Sequence, residues 1–213
     1  MAELASCLAP GRVEVGCDEA GRGCLAGPVV AAAVCLDEDV ARDLVTEFEL
    51  NDSKQLSKSK RNALRLAVEE HAQAWAVAVV SPQEIDQINI LQASFLAMRQ
   101  AARALIAGGL SVEHLLIDGN RFQSEPGLPA HTCLVKGDAR FASIAAASVL
   151  AKTHRDNIME NLSQAHPEYG WEKNAGYPTA AHRAAIAAFG LTAHHRKSFQ
   201  QLPKSMNLFS TNR

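Results

Sequence analysis

Two neighbouring carboxylates, Asp18 and Glu19, close an apolar run and stand against a Gly-Arg-Gly turn in the stretch Val13 to Val30, VEVGCDEAGRGCLAGPVV. An acid at the end of a β-rich run loses hydration on burial, which costs free energy unless a cation offsets it. A divalent metal ion held by carboxylate oxygens is the usual partner. Gly21 and Gly23 let the backbone come close to a ligand, and Arg22 between them carries a planar fork of donors suited to a phosphate or a sugar edge.

The surrounding pattern predicts the elements that must position these groups. Strands near Val13–Cys17 and over Pro28–Leu36 follow one another and suggest a hairpin, and a helix from about Ser57 to Ala72 follows the polar loop Asn51–Lys54. Ala74–Val80 alternates weakly and reads as a third strand. Ser81-Pro82-Gln83-Glu84 starts a helix, with Pro at its first position and Glu three residues after Ser. That helix is expected to run to about Ala107, before Gly108-Gly109. Glu113–Ile117 is a fourth strand ending at Asp118, and His131–Val135 a fifth ending at Lys136-Gly137-Asp138. Helices then fill Ala139–Gln164 and Thr179–Phe189. Strands paired locally and then alternating with helices predict an α/β fold: a mixed five-stranded sheet flanked by helices, with a small helical C-terminal part. With 213 residues and 47% hydrophobic content there is material for one sizeable core. Residues 1–165 are expected to form it, and 166–213 a basic helical segment and tail packed as part of the same domain.

Asp18, Asp118 and Asp138 are far apart in sequence, yet each stands where an apolar run ends or a loop begins, so strand ends can gather them. Successive side chains alternate across a regular strand, which predicts a turn or bulge at Asp18-Glu19 if both acids are to face one site. Taken singly, Asp118 in Asp-Gly reads as a turn and Asp138 as a helix N-cap; taken together, the acids read as a metal-binding set. Asp156, next to Arg155, reads as a helix-face ion-pair partner rather than a ligand. Ser143, Ser148, Lys152 and Thr153 share much of one helix face, whereas Ala145 to Ala147 and Ala151 read as tight packing.

The net charge of −2 conceals an asymmetry. No Asp or Glu follows Glu172, while Lys173, Arg183, Arg196, Lys197, Lys204 and Arg213 do, so this segment carries +6 and residues 1–172 carry −8. An acidic metal site beside a polyanion groove would divide charge in this way; a solvated basic tail would too. Trp171, Tyr177, His194, His195 and Phe199 add stacking groups among the cations and favour nucleic acid. Five cysteines, odd in number and without CxxC spacing, indicate neither a disulfide framework nor a zinc site. No apolar run approaches the roughly 20 residues of a membrane span, so a soluble, cytoplasmic protein is expected, and the absence of repeats makes a monomer the default.

The segment DEAGRGCLAGPVV resembles the N-terminal signature of ribonuclease HII, the type 2 ribonuclease H family. Further blocks follow in that family's order: NDSKQLS from Asn51, EIDQINIL from Glu84, LIDGNR from Leu116, KGDARFASIAAASVLAKTHRD from Lys136, GYPT from Gly176 and HHRKSF from His194. The resemblance implies a ribonuclease H-like fold. It also implies an endoribonuclease that hydrolyses the RNA strand of RNA/DNA hybrids, cuts 5′ to single ribonucleotides embedded in duplex DNA, and so removes misincorporated ribonucleotides. It carries over Asp18, Glu19, Asp118 and Asp138 as catalytic, metal-binding acids. Two Mg²⁺ or Mn²⁺ ions roughly 4 Å apart would neutralise them and clamp the scissile phosphate. Gly21, Arg22, Gly23 and Tyr177 are implied to contact the ribonucleotide, whose 2′-hydroxyl distinguishes it from a deoxyribonucleotide. Asn51, Ser53 and Lys54 are implied on backbone phosphates, with Ser148, Lys152 and Arg196 as further substrate contacts. Tyr177 could alternatively pack a subdomain junction, and Gly21–Gly23 could be a plain tight turn.

Two alternatives remain open at this stage: a type 3 ribonuclease H that cleaves hybrids but handles single ribonucleotides poorly, and a non-catalytic hybrid-binding module. The segment Ser205–Phe209, SMNLF, weakly resembles peptides that dock into bacterial sliding clamps, though the usual leading Gln is absent.

Overall fold

The computed structural model describes residues 4–51, 53 and 56–202. Its five strands form one sheet in the order β3-β2-β1-β4-β5. β1 (Glu14–Ala20) pairs antiparallel with β2 (Val29–Cys35), which pairs antiparallel with β3 (Ala74–Val80). β4 (His114–Asp118) and β5 (Ala130–Leu134) continue the sheet in parallel on the other side of β1. β2, VVAAAVC, is buried along its whole length, so it reads as a continuous run of small apolar residues rather than an alternation. Val29, Ala31, Ala33 and Cys35 share a core with α4 (Ile90–Ala107); Ala32 and Val34 share the opposite one with α2 (Lys58–His71) and α5 (Ala142–Ala165).

The alanines of α5 have a steric purpose. Ala145, Ala146, Ala147 and Ala151 are fully buried, and small side chains let this long helix lie close upon β1 and β2. The approach is tightest at Gly16 of β1, where an added Cβ would stand 2.3 Å from the carbonyl carbon of Ser143 and 2.4 Å from the nitrogen of Ile144.

Several elements differ from expectation. β1 does not end at Cys17 but runs through both acids, in unbroken one-to-one register with β2: Asp18 opposite Ala32, Glu19 opposite Ala31, Ala20 opposite Val30. There is no bulge at Asp18-Glu19. The helix expected from Ser81 to Ala107 is two, α3 (Pro82–Ile88) and α4, because Asn89 adopts φ 66° and its side chain accepts from the N–H groups of Leu91 and Gln92, starting a new helix. A further helix, α1 (Glu38–Thr46), is capped by Asp37 and buries Ala41 and Leu44; Val40, Ala41, Leu44 and Val45 recur at helical spacing and face the core, a signal present in the sequence but short. A 3₁₀ turn over Gly137–Ala139 precedes α5.

Beyond α5 lie α6 (Trp171–Asn174) and α7 (Ala180–Phe189). Tyr169 stacks on Trp171 with centroids 5.0 Å apart, and the Trp171 indole N–H donates to His182 Nε2 at 3.0 Å. This cluster packs on Leu25, Ala26 and Met159. Trp171 and His195 are thereby sealed from solvent, so they are not stacking surfaces for nucleic acid. Arg183 is likewise engaged, donating to the carbonyls of Gln200 and Gln201. Among the described residues no helix is long and apolar enough to cross a membrane.

Gly16→Ala forces backbone apart where strand and helix touch. It is expected to cost about 1–3 kcal/mol, the usual range for overpacking, read as a lower midpoint in urea unfolding; an unchanged midpoint would contradict the contact.

Candidate active site

The parallel pairing of β1 with β4 ends at Cys17 opposite Ile117, and β4 itself stops one residue later at Asp118. Beyond that point the edge of β1 is uncovered. Asp18 and Glu19 leave the strand on opposite faces, yet both line the cavity of about 310 Å³ at this end of the sheet, together with Gly21, Arg22, Gly23, Ser53, Asp118, Ser148, Lys152 and Tyr177. The end of the sheet, not a bulge, brings the two acids to one site. The Gly137 N–H donates to Asp118 Oδ1 at 2.7 Å and ties the 3₁₀ turn carrying Asp138 to the end of β4. A Cβ on Gly137 would meet Ile144 Cδ1 at 2.6 Å and Asp118 Oδ1 at 3.3 Å, so a larger residue there would have to displace the tip of Ile144. Asp138 is 5% exposed, and neither it nor Asn51 is among the residues that line the cavity. Lys54 lies outside the described residues.

Burial pushes the Asp18 carboxyl well above the usual carboxylate range, and the neighbouring Glu19 and Asp118 push it further; hydrogen bonds from Ser148 and from the Glu19 N–H (2.7 Å) pull back. Glu19 is also raised, chiefly by burial, although Arg22 Nη1 lies 3.1 Å from its Oε1 and opposes the shift. Desolvation and mutual repulsion therefore exceed what the half-exposed Arg22 supplies. An all-oxygen donor set with this surplus of negative potential fits a hard divalent cation. Among the described residues no three such side chains already converge on one point; the carboxylates surround a space instead.

The remaining predicted contacts divide in two. Ser148 and Ser53 bond to each other at 2.8 Å, and Ser148 also serves Asp18, so this pair orients an acid. The loop bearing Ser53 is held by Arg61, which donates to the carbonyls of Ser53 (3.1 Å) and Leu56. Lys152 donates to Asp156 at 2.7 Å, the helix-face ion pair expected for that acid, and its ammonium lies 5.7 Å from the Tyr177 ring. Tyr177 is 40% exposed towards the cavity and bonds to the Cys24 thiol, its hydroxyl pKa raised chiefly by burial.

Arg196 is not where a phosphate contact would be. It is fully buried, and its guanidinium donates to the carbonyls of Gly27 (2.9 Å), Arg22 (2.9 Å), Gly21 (2.7 Å) and Pro28 (3.1 Å). A second buried arginine, Arg155 on α5, donates to Pro28 (2.9 Å), Ala175 (2.8 Å) and Ala26 (3.0 Å). Its signal was present in the sequence: Ala151, Arg155 and Met159 recur at helical spacing, and a cation on a buried stripe must have partners. Gly21, at φ 95°, has no room for a side chain, because a Cβ would stand 2.0 Å from Arg155 Nε.

With this geometry in place, comparison with known proteins is informative. The family model described as Ribonuclease HII matches residues 15–202. A ribonuclease HII of Parabacteroides distasonis is 57% identical over 198 residues, covering 93% of this chain and 95% of its own. The Archaeoglobus fulgidus RNase HII, solved in complex with PCNA, superposes with a TM-score of 0.71 at 26% identity, covering 92% of this chain and all of that one. Bst-RNase HIII in complex with Mn²⁺ gives a TM-score of 0.77 at 21% identity, over 94% of this chain and 71% of its own, a likeness of fold. By family model and by identity over nearly its whole length, the chain belongs to the ribonuclease HII family.

Proposed function

We propose that the cavity at the end of β1 and β4 is the active centre of a divalent-metal-dependent endoribonuclease. As a ribonuclease HII family member the chain is a hydrolase that cleaves the RNA strand of RNA/DNA hybrids. The observation that carries the site assignment is the meeting of Asp18, Glu19 and Asp118 with the Gly21–Gly23 turn and Tyr177 around one cavity, with Asp138 fastened alongside through Gly137.

Asp18, Glu19, Asp118 and Asp138 would hold Mg²⁺ or Mn²⁺. Such ions supply a water of lowered pKa and neutralise charge on the scissile phosphate and the leaving 3′-oxygen. Arg22 holds Glu19 in place, and Ser148 with Ser53 holds Asp18. The turn's backbone N–H groups donate to the 2′-hydroxyl, and Tyr177 lies against the adjoining sugar, which fixes the cut 5′ to the ribonucleotide. Lys152 contacts the phosphate backbone, as do Asn51 and Ser53 and, outside the described residues, Lys54. Excision of single ribonucleotides from duplex DNA is the role this reading implies, and the cytoplasm is where such a substrate would be met.

A type 3 enzyme shares the fold, so superposition does not separate the two; the 57% identity to a ribonuclease HII does. The tail segment Ser205–Phe209, outside the described residues, is proposed as a sliding-clamp contact, consistent with the PCNA complex of the Archaeoglobus fulgidus enzyme.

A labelled duplex with one ribonucleotide should be cut on its 5′ side with Mg²⁺ or Mn²⁺ and left whole in EDTA. Asp138→Asn should reduce the rate more than about 100-fold, since changes even beyond direct ligands cost 10–100-fold. Binding without cleavage in either metal would instead favour a non-catalytic module. For the tail, removal of residues 203–213 should abolish binding to a bacterial sliding clamp in calorimetry while cleavage of a short free duplex is unaltered; undiminished clamp binding would refute the contact.

A further inference from the structure

The eight residues Gly21–Pro28 join β1 to β2, and two buried arginines hold them without any carboxylate partner among the bonds they make. Arg196 and Arg155 are both fully buried. Between them they take up the carbonyls of Gly21, Arg22, Ala26, Gly27 and Pro28, meeting at Pro28. Burial and the nearby Arg155 draw the Arg196 pKa down to about 10, so the guanidinium stays charged at neutral pH. Other fastenings come from the same segment: Arg196 N–H donates to Leu25 O at 2.8 Å, Gly27 N–H to His194 O at 2.8 Å, and Asp86 on α3 accepts the N–H groups of Lys197 and Ser198 at 2.9 Å each.

The two arginines divide the loop. Arg155 donates to Ala26, Pro28 and Ala175 and only packs its side chain beneath Gly21, whereas among the side chains Arg196 alone bonds the carbonyls of Gly21 and Arg22, which line the cavity. Every peptide bond here is trans, and in a planar trans peptide the C=O and the following N–H point in opposite directions. Drawing the carbonyls of Gly21 and Arg22 onto Arg196 therefore turns the N–H groups of Arg22 and Gly23 away from it. Among the described residues neither N–H has a hydrogen-bond partner within the protein. Unpaired donors at the wall of a cavity are ready for a ligand.

We propose that Arg196 is a positioning residue that aims the Arg22 and Gly23 amides at the ribonucleotide, and that Arg155, which bonds the far end of the loop and touches Gly21 by packing alone, supports the loop without setting selectivity. This rests on the ribonuclease reading above and names the device that makes the turn able to discriminate. A lysine at 196 keeps the charge but cannot span four carbonyls with a planar fork, so the turn should loosen while the interior stays charge-matched.

The test compares wild type, Arg196→Lys and Arg155→Lys, each at a temperature well below its own melting point. kcat/KM is measured on a duplex with one ribonucleotide and on one with a run of ribonucleotides, whose further 2′-hydroxyls offer other contacts. Arg196→Lys should lose about tenfold or more on the single-ribonucleotide duplex, one hydrogen-bond equivalent, and less on the run. Its Cys24 and Gly27 amides, bonded to Gly21 O and His194 O, should exchange hydrogen faster than in the wild type. Arg155→Lys should melt lower and keep the wild-type ratio between substrates. Should Arg196→Lys not fold, Gly23→Pro deletes one of the two N–H groups directly and should lose the single-ribonucleotide duplex preferentially. The proposal is overturned by a folded Arg196→Lys with wild-type ratio and wild-type exchange at residues 24 and 27, by an Arg155→Lys that shifts the ratio equally, or by a Gly23→Pro that retains it. If the wild type cuts neither duplex, the ribonuclease reading falls, and the exchange comparison still decides what Arg196 holds.

Discussion

Carboxylates buried against one another at the end of an apolar sheet are the constraint that the rest of the molecule accommodates. Asp18 and Glu19 are poorly hydrated where they stand, and Asp118 adds to the repulsion that raises both. Like charges in a poorly hydrated site separate or take up protons unless they are fixed. Here the fixing is covalent and steric: two acids are consecutive on a central strand, a third ends its parallel neighbour, and the turn carrying the fourth is pinned to that third by one backbone N–H. The strand cannot drift, because Gly16 seats it on the backbone of α5 and alanines bring that helix within reach.

The same logic explains a hydrogen-bonding pattern that would be wasteful for stability alone. Burying two arginines requires that each N–H find an acceptor, and charge-assisted bonds return about 1.5–3 kcal/mol apiece. Carbonyls of an otherwise irregular loop provide those acceptors, and the loop is tied down at both ends. A rigid loop can present donors at fixed positions, which is the condition for selecting a sugar by a single hydroxyl. Around this loop the C-terminal segment packs its histidines and aromatic rings inward, and its Arg183 and Arg196 bond carbonyls of the protein itself.

Much of this was legible in the chain. The mixed five-stranded sheet, the strand-end placement of Asp118, the Gly21–Gly23 turn and the tight packing at Ala145–Ala147 follow from apolar patterning and from spacing that the resemblance reinforces. What escaped are features set by three-dimensional neighbours. Nothing local reveals that β4 stops level with Asp18, so a bulge was expected where an uncovered strand edge suffices. Asn89 breaks a helix whose apolar spacing continues across it. Arg196, in a run of basic residues, reads as a surface cation until its acceptors, some 170 residues earlier in the chain, are known.

If buried carboxylate repulsion is what a divalent ion relieves, removing one charge should stabilise the protein without metal and deprive the metal of its effect. Thermal unfolding of wild type and Asp18→Asn, with and without Mn²⁺, reads this directly. The predicted result is that Asp18→Asn without metal melts above the wild type, by roughly 2–4 °C for each kcal/mol relieved in a chain of this size. Mn²⁺ should raise the wild type as a ligand bound only to the folded state does, and raise the variant far less. A variant that melts below the wild type without metal, together with a wild type indifferent to Mn²⁺, would contradict the account.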